Sequence, residues 1–295
     1  MRNFQIDHTL KESLTYHSET FPIETCVDRY DLLPDHTLNC HWHDEFEFGL
    51  LLSGELDYSI SGYQTRLQRG DCVFINSGTM HMAQQAPGCH NANMFIIAFS
   101  HAFLTENMDG VIYQKYFRPA LKNPFPGFVL TGESEVREEI ASYLTELYQL
   151  ETEGEQYELL CISLLCRLWG VTLSYLNRIS PDLGIQLIDR TSEERAKAIM
   201  YYIRQHYSEG ITIESISRSA NVSQSECFRS FKKYTQKTPV TYLNEYRLAQ
   251  AAKRLRESSA SVTEISSACG FSHSSYFCKL FKEKYGISPT KFRKS

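Results

Sequence analysis

Three histidines and one glutamate in the first third of the chain have residue types and a spacing that suit ligand binding. One residue separates His41 from His43, Glu47 follows four residues later, and His81 comes from a later segment. Alternate side chains of a β-strand share one face, so residues 41, 43 and 47 are expected to point in one direction. If a neighbouring strand brings in His81, three imidazoles and one carboxylate converge.

This set of side chains has three interpretations. It could hold a transition metal, it could line a metal-free pocket for a polar ligand, or its members could be purely structural. We favour the metal-free pocket and predict no cofactor. The residues predicted to bind this ligand are His41, His43, Glu47 and His81. Trp42, Phe46 and Phe48 have the opposite parity and are expected to pack against other elements of the fold.

The segment around these residues is predicted to be a β-sandwich or barrel. Between residues 20 and about 100, short apolar or alternating runs are bounded by turn residues. Glycines recur every eight residues at positions 54, 62, 70 and 78. Short strands with turns at this spacing are typical of sandwiches and barrels.

Helical patterns begin near Glu133. One apolar stripe has three- and four-residue spacing and consists of Val136, Ile140, Leu144, Leu147 and Leu150. A second helix, about 156–177, is apolar nearly all round and close to the length of a membrane span. Arg167 lies near its centre, where a membrane would make the charge costly, so we predict a buried or dimer-facing helix instead. Turn residues then mark a linker at 181–191.

The last third of the chain contains two copies of one pattern. The matched pairs are Ile216 with Ile265, Val222 with Phe271 and Ser223 with Ser272, each 49 apart, and Phe231 with Phe281, Lys232 with Lys282, Pro239 with Pro289 and Tyr242 with Phe292, each 50 apart. We therefore expect one added residue around the start of the second copy's last helix. Each copy predicts a short helix (213–219 or 262–268), a tight turn and a second helix. Such a unit is a helix-turn-helix.

Three features of each unit are specified by residue type. The turn carries Asn221 or Gly270, both of which tolerate the left-handed conformation. Ser223 or Ser272 is predicted to cap the second helix. The buried positions of that helix are predicted to be Cys227 and Phe231 in the first unit, and Phe277 and Phe281 in the second.

Charge is unevenly distributed along the 295 residues. From Thr191 onward there are 18 basic and 9 acidic residues, a net charge of +9. The first 190 residues hold 12 basic and 26 acidic residues, a net charge of −14. A basic segment attracts polyanions such as nucleic acid, although a solvated basic surface has the same composition.

The C-terminal sequence GFSHSSYFCKLFKEKYGISPTKFR resembles the signature of the AraC/XylS family of transcription regulators, over about residues 193–295. The resemblance implies two helix-turn-helix units, joined by a long helix at about 240–257, that contact adjacent segments of the DNA major groove. The N-terminal motif HxH, three residues, Glu, six residues, Gly is similar to the first cupin motif, and residues 70–81 resemble the second. Asn76 replaces the usual proline and Gln85 stands where Asn is frequent.

The family resemblance also implies which side chains contact DNA. Those on the exposed face of each second helix are Ser225, Glu226, Arg229, His273, Ser274, Ser275, Tyr276 and Lys279. Arg229 and Lys279 are equivalent in the repeat, and each is predicted to contact guanine, with a phosphate contact as the alternative. Glu226 either contacts a cytosine amino group or lies at the edge. The residues predicted to contact backbone phosphate are Lys232, Lys233, Arg247 and Lys282.

Together these patterns predict an α+β multidomain chain. Residues 1–132 form a cupin-like β-barrel (jelly roll) that binds an effector, 133–180 a helical dimerisation segment, 181–191 a linker, and 192–295 an all-α DNA-binding domain with two helix-turn-helix units. Nine scattered cysteines without a CxxC pair are typical of a reducing cytosol, and no signal peptide is visible, so a cytoplasmic location is predicted.

The predicted function is ligand-controlled, sequence-specific transcription regulation, as an activator of a catabolic operon by family habit. The predicted partners are promoter DNA, a small-molecule effector such as a sugar, a second copy of the chain and RNA polymerase, with no membrane. The alternatives are a metal-dependent cupin enzyme fused to a DNA-binding domain, and a constitutive DNA-binding protein with an inert barrel. The enzyme is disfavoured, because a DNA-binding tail implies control.

Overall fold

The computed structural model describes residues 5–7, 9–16, 18, 20–105, 107–122, 125–179 and 190–294. The chain divides near residue 190 into two compact units. Most of the predicted linker, residues 181–189, lies outside the described residues. We treat each unit separately below.

The first unit is built on two antiparallel sheets. Within the described residues its strands are β1 Gln5–Ile6, β2 Glu12–Ser13, β3 Ile23–Arg29, β4 Thr37–His41, β5 Phe46–Ser53, β6 Glu55–Ile60, β7 Tyr63–Gln68, β8 Cys72–Ile75, β9 His81–Gln85, β10 Asn93–Phe99 and β11 Gly127–Leu130. One sheet has the order β11-β8-β5-β10-β3 and the other β4-β9-β6-β7, while β1 and β2 form a small hairpin. This cupin-like arrangement confirms the predicted barrel.

The predicted glycine turns connect consecutive strands of this unit. Gly54, Gly62, Gly70 and Gly78 follow β5, β6, β7 and β8 in that order, and all four have a positive φ, between 73° and 89°. A side chain is strained in this conformation, so glycine is favoured at each turn. The eight-residue spacing of the glycines therefore equals the length of one strand plus one turn.

The central strand β5 is buried on both faces. Phe46 and Phe48 point away from the second sheet and belong to a core shared with the helical layer, as predicted from their parity. Leu51 points the other way and belongs to the core between the two sheets. Trp42 lies elsewhere, with its ring 5.4 Å from the Lys11 ammonium nitrogen.

Helices cover the outer face of the five-stranded sheet. The α-helices of the first unit, within the described residues, are α1 His101–Leu104, α2 Arg118–Lys122, α3 Glu135–Gln149 and α4 Tyr157–Ile179. A π-helical segment, Tyr113–Phe117, precedes α2, and two short 3-10 helices, Tyr30–Leu32 and Pro34–His36, lie between β3 and β4. Ile140, Leu144 and Leu147 are buried, which confirms the stripe predicted for α3. In α4 the Trp169 ring lies 4.7 Å from that of Phe46. By length and composition alone α4 could cross a membrane, yet one of its faces packs in this core.

The second unit is entirely helical within the described residues. Its helices are α5 Arg190–His206, α6 Ile213–Ser219, α7 Gln224–Thr235, α8 Pro239–Glu257, α9 Val262–Ala268, α10 Ser274–Tyr285 and α11 Pro289–Phe292. Helices α6 and α9 have the predicted bounds, and α8 is the predicted joining helix. The pairs α6–α7 and α9–α10 are the two predicted helix-turn-helix units.

The two turns are equivalent in detail. Asn221 and Gly270 have φ of 53° and 83°, as their residue types predicted. The next residue in each turn donates its backbone N–H to a serine carbonyl, Val222 to Ser217 and Phe271 to Ser266, both at 3.1 Å. The helical cores are also as predicted, because Cys227, Phe231, Phe277 and Phe281 are fully buried.

The added residue of the second copy changes one helix start. Ser223 caps α7 as predicted, and its hydroxyl accepts a hydrogen bond from the Glu226 backbone N–H. The prediction that Ser272 caps α10 is wrong, because His273 occupies the N-cap position and makes no capping hydrogen bond through its side chain. The extra residue precedes α10, so the helix begins 50 rather than 49 positions after α7.

Gly270 provides a test of the second turn. A Cβ there would lie 2.4 Å from the Tyr207 carbonyl oxygen, whereas a Cβ at Gly286, which also has a positive φ, meets nothing within 4 Å. Gly286→Ala is expected to cost about 1 kcal/mol of unfolding free energy for the backbone conformation, and Gly270→Ala about 2–5 kcal/mol. Circular dichroism of the helices measures the unfolding of the second unit. Both tryptophans lie in the first unit, so their fluorescence is the control that reports the stability of that unit. Equal losses in the two variants would contradict the steric argument.

Candidate ligand site and nucleic-acid interface

The four predicted ligand-binding residues converge between the two sheets. His41 ends β4 and is the register partner of His81, which begins β9. Glu47 belongs to β5 in the opposite sheet, and its side chain lies in the space between the sheets. The expectation that residues 41, 43 and 47 share one strand face is wrong, because the chain leaves β4 after His41 and His43 lies in the connection to β5. The side chains meet because the two sheets face each other.

The site is compact and almost completely buried. His41, His43, Glu47 and His81 are each at most 2% exposed. The three imidazoles each offer a nitrogen, and these atoms all lie within 4.8 Å of one another. The Glu47 carboxylate lies 3.2 Å from His43 Nε2 and 3.8 Å from His81 Nε2. A second carboxylate, Glu12 of β2, lies 3.3 Å from His41 Nε2.

Backbone carbonyls orient the three rings. The Nδ1 atoms of His41, His43 and His81 face the carbonyl oxygens of residues 39, 45 and 79, at 2.8, 3.2 and 3.0 Å. An Nδ1–H that donates to a carbonyl leaves Nε2 as the lone-pair atom. Burial, followed by the neighbouring His81 and His43, holds the pKa of His41 well below its usual value of 6.5, so that ring is neutral at pH 7. The His41 ring thus presents an acceptor nitrogen to the site, whereas His43 Nε2 lies within hydrogen-bond distance of the Glu47 carboxylate, at 3.2 Å.

The donor set therefore suits a transition-metal ion. Neutral imidazole nitrogens and carboxylate oxygens are ligands of Zn²⁺, Fe²⁺ and related ions, and metal-binding histidines almost always donate their second N–H to a carbonyl or carboxylate. The same donors can hydrogen-bond a polar organic ligand. The arrangement thus offers suitable ligand atoms to either kind of group, in an environment from which water is largely excluded.

The two departures from the second cupin motif have structural roles. Asn76 Nδ2 donates to the Ala120 and Phe125 carbonyls at 3.0 and 2.8 Å, so its amide fastens the end of β8 to the segment before β11. The Gln85 amide bonds the Cys89 carbonyl and the Ala92 backbone N–H, at 3.0 and 3.2 Å, and supports the β9–β10 connection. The proline usual at position 76 of the motif could not make these side-chain hydrogen bonds. The motif alone did not indicate the contacts of Asn76 and Gln85.

The second helices of the two helix-turn-helix units present polar outer faces. In α7, Ser225 and Arg229 are exposed and Glu226 is half-buried. In the second unit the predicted DNA-facing residues His273, Ser274, Ser275, Tyr276 and Lys279 are all exposed. These residues are available to a nucleic acid on the side opposite the buried phenylalanines.

Glu226 and Arg229 form an ion pair on one face of α7. The Arg229 guanidinium donates to the Glu226 carboxylate one turn earlier, and the arginine side chain remains 79% exposed. Lys279 lies 3.9 Å from Glu283 on α10, also in the open. The two repeat-equivalent cations are therefore both accessible, with Glu226 positioned to orient the arginine. Of the predicted phosphate contacts, Lys232 and Lys282 are exposed and Lys233 is half-buried.

Arg247 does not fit its predicted contact with phosphate. It is 8% exposed, and its guanidinium donates to the Tyr207 and Glu209 carbonyls at 2.7 and 2.8 Å. Its Cζ also lies 5.7 Å from the centre of the Phe271 ring. Arg247 therefore connects α8 to the end of α5 and to the turn of the second unit. Sequence alone placed it on a long basic helix without showing which face is buried.

Comparison with protein families supports both units. Residues 30–168 match an AraC-like ligand-binding domain, and residues 216–295 match a helix-turn-helix domain. An uncharacterized HTH-type transcriptional regulator of Bacillus subtilis, YdeC, is 28% identical over 296 residues, which cover 100% of this chain and 99% of that protein.

Two further proteins are similar to most or to part of this chain. The HTH-type transcriptional activator RhaS of Enterobacter is 23% identical over 261 residues, covering 88% of this chain and 89% of RhaS. A solved AraC-type regulator of Chromobacterium violaceum is 27% identical, with a TM-score of 0.33, and the match covers 36% of this chain and 94% of that one.

Arg247 and Lys282 provide a test that separates structural from DNA-contacting cations. Arg247→Met removes two buried charge-assisted hydrogen bonds and is expected to cost about 2–4 kcal/mol of unfolding free energy. Lys282→Met is the matched control, and its effect on stability is expected to stay within about 0.5 kcal/mol. Denaturant unfolding followed by circular dichroism measures both. An Arg247 variant of normal stability would restore its assignment as a surface cation.

Proposed function

We propose that an effector bound in the barrel controls the binding of this chain to promoter DNA. The chain belongs to the AraC family of helix-turn-helix transcription regulators and carries an AraC-like ligand-binding domain. The observation that carries the proposal is the pair of equivalent helix-turn-helix units with exposed polar second helices. They belong to the segment whose net charge is +9. A polyanion such as DNA is attracted to this charge, and a second helix can enter the major groove.

We assign distinct roles to the exposed cations. Arg229 and Lys279 would contact guanine, because a long cation on the exposed face can reach the O6 and N7 acceptors of that base. The exposed residues assigned to base edges or their surroundings are Ser225, Glu226, His273, Ser274, Ser275 and Tyr276. Lys232, Lys233 and Lys282 would contact phosphate, which adds affinity without sequence information.

Control would come from the buried polar cluster of the barrel. His41, His43, Glu47 and His81 form the effector-binding site of this proposal. We propose that the DNA-binding units can take up two arrangements and that the effector has a higher affinity for the chain in one of them. The effector then shifts the population toward that arrangement, and DNA that favours the same arrangement raises the affinity for the effector in turn. The similarity to RhaS, a transcriptional activator, supports activation, which would act through RNA polymerase. A cytoplasmic location is proposed because the chain would act on promoter DNA. The target is proposed to be a catabolic operon.

A second copy of the chain would pack against the open face of α4. Leu159 is 73% exposed and Ile162 is 36% exposed, although both are large apolar side chains. Cys166 and Gly170 continue the same helical face and are exposed as well. Large apolar groups in water favour association, and a homodimer covers the same face on both copies. The dimer would bring two DNA-binding units to one promoter.

Substitutions of the exposed cations test the DNA-binding assignment. Lys279→Ala and Arg229→Ala are each expected to cost about 1–3 kcal/mol of binding free energy and to relax the preference at one base position. Lys233→Ala is the control and should weaken binding to all sequences about equally. Titrations with promoter fragments from near the gene and with random DNA, at several salt concentrations, measure both effects. A uniform loss for Lys279→Ala would contradict the base contact, and salt-independent binding would contradict the interface.

The oligomeric state tests the role of α4. Leu159→Glu places a charge on the open face and is expected to convert dimers to monomers without lowering the stability of the barrel unit. Gln64→Glu adds the same charge on the exposed strand β7 and should leave the dimer intact. Sedimentation velocity over a range of concentrations measures the change. A monomeric wild-type chain, or an undisturbed dimer in Leu159→Glu, would contradict this interface.

A further inference from the structure

One phenylalanine of the all-helical unit lies on the outside of helix α7. Phe228 is 37% exposed, whereas the five other phenylalanines of this unit are at most 9% exposed. Phe231, three residues later on the same helix, is fully buried. A single exposed apolar side chain is common on protein surfaces, so the position of Phe228 decides what it can do.

The fold does not require a large side chain at this position. The repeat-equivalent residue is Cys278, 50 positions later, which is half-buried against the core of the second helix-turn-helix. Helices α7 and α10 both have 12 residues, so they can be compared position by position. A side chain as small as cysteine is sufficient in one of them. The phenyl ring of Phe228 therefore adds apolar surface that the helix-turn-helix does not need for its own packing.

Phe228 lies among residues that are assigned above to DNA. Residues three or four positions apart are neighbours on the surface of a helix, so Ser225, Phe228 and Lys232 follow one another along α7. All three are exposed, and so is Arg229, which follows Phe228 in the sequence. A duplex that contacts this serine and these two cations therefore reaches the phenyl ring as well.

We propose that Phe228 contacts the C5 methyl group of a thymine in the major groove and so determines the base at one position of the DNA target. The proposal rests on the DNA-binding role given above to α7, and it names one base that this helix recognises. DNA is favoured over a protein partner because Arg229 and Lys232 flank the ring on an exposed face, and these cations attract a polyanion.

Thymine carries the apolar group that such a ring can contact. In the major groove the other three bases present hydrogen-bond donors and acceptors, whereas thymine adds a methyl group beside its O4 acceptor. A phenyl ring cannot hydrogen-bond to the polar atoms of the other bases, and it would displace water from them at a cost in free energy. Contact with the methyl group instead removes apolar surface of both partners from water. Thymine is therefore favoured over the other bases.

Replacement of thymine by uracil tests the contact, because deoxyuridine lacks only the methyl group. The full-length chain first selects its preferred duplexes from random DNA, and each thymine of the selected sequence is then replaced in turn. We expect one replacement to weaken binding about three- to tenfold, the size of effect expected for one buried methyl group. A chain that selects no sequence would contradict the proposed function. A selected sequence whose uracil variants all bind like the original would overturn the thymine contact alone.

One variant and one control assign the contact to Phe228. Phe228→Ala should weaken binding to the thymine duplex and should bind that duplex and its sensitive uracil variant equally well. Val240→Ala, which shortens an apolar side chain of α8 that is 44% exposed, is the control and should keep the full uracil penalty. A uracil penalty that persists in Phe228→Ala would overturn the assignment. If Phe228→Ala does not fold, 5-iodouracil at the sensitive position decides, because a photochemical crosslink to a residue other than Phe228 in the wild-type complex would contradict the contact.

Discussion

The first unit depends on the burial of strand β5 on both of its faces. Because side chains alternate along a strand, Phe46 and Phe48 enter the aromatic core under the helices while Glu47 enters the space between the sheets. A slip of one residue would place the carboxylate among phenylalanines and an aromatic ring among histidines. The register of β5 with β8 and β10 therefore positions the polar site and the helical layer together.

The second unit contains a buried cation beside its apolar core. Arg247 satisfies two backbone carbonyls just after α5 and lies over the Phe271 ring beside the second turn. The close approach leaves no space for a side chain at Gly270. The guanidinium adds these polar contacts to the apolar core that α8 forms with α9 and α10, through Leu248, Leu255 and Phe277 among others. Its charge is used within the protein rather than toward a ligand.

Local patterns were predictable from the sequence, whereas most contacts between distant segments were not, apart from the convergence of His81 with His41, His43 and Glu47. The short helices, the left-handed turns and the buried phenylalanines follow from spacing within ten or so residues, and each was confirmed. The N-cap of α10 was missed because one inserted residue shifts the helix start from the repeat. Glu12 and Arg247 were missed because burial depends on which segment packs above a residue. Asn76 stood out as a departure from a motif, but its two carbonyl partners lie over 40 positions away.

The rigid connection through α8 limits which nucleotide sequences the protein can recognise. This helix has 19 residues, about 28 Å of length, and joins the two helix-turn-helix units through short connections, residues 236–238 and 258–261. Two helix-turn-helix units held at a fixed distance and angle can both contact the major groove only when their target segments face the same side of the duplex. Inserting about five base pairs between the two targets would turn one of them to the opposite side of the duplex. Spacing is then as much a part of the recognised sequence as its bases.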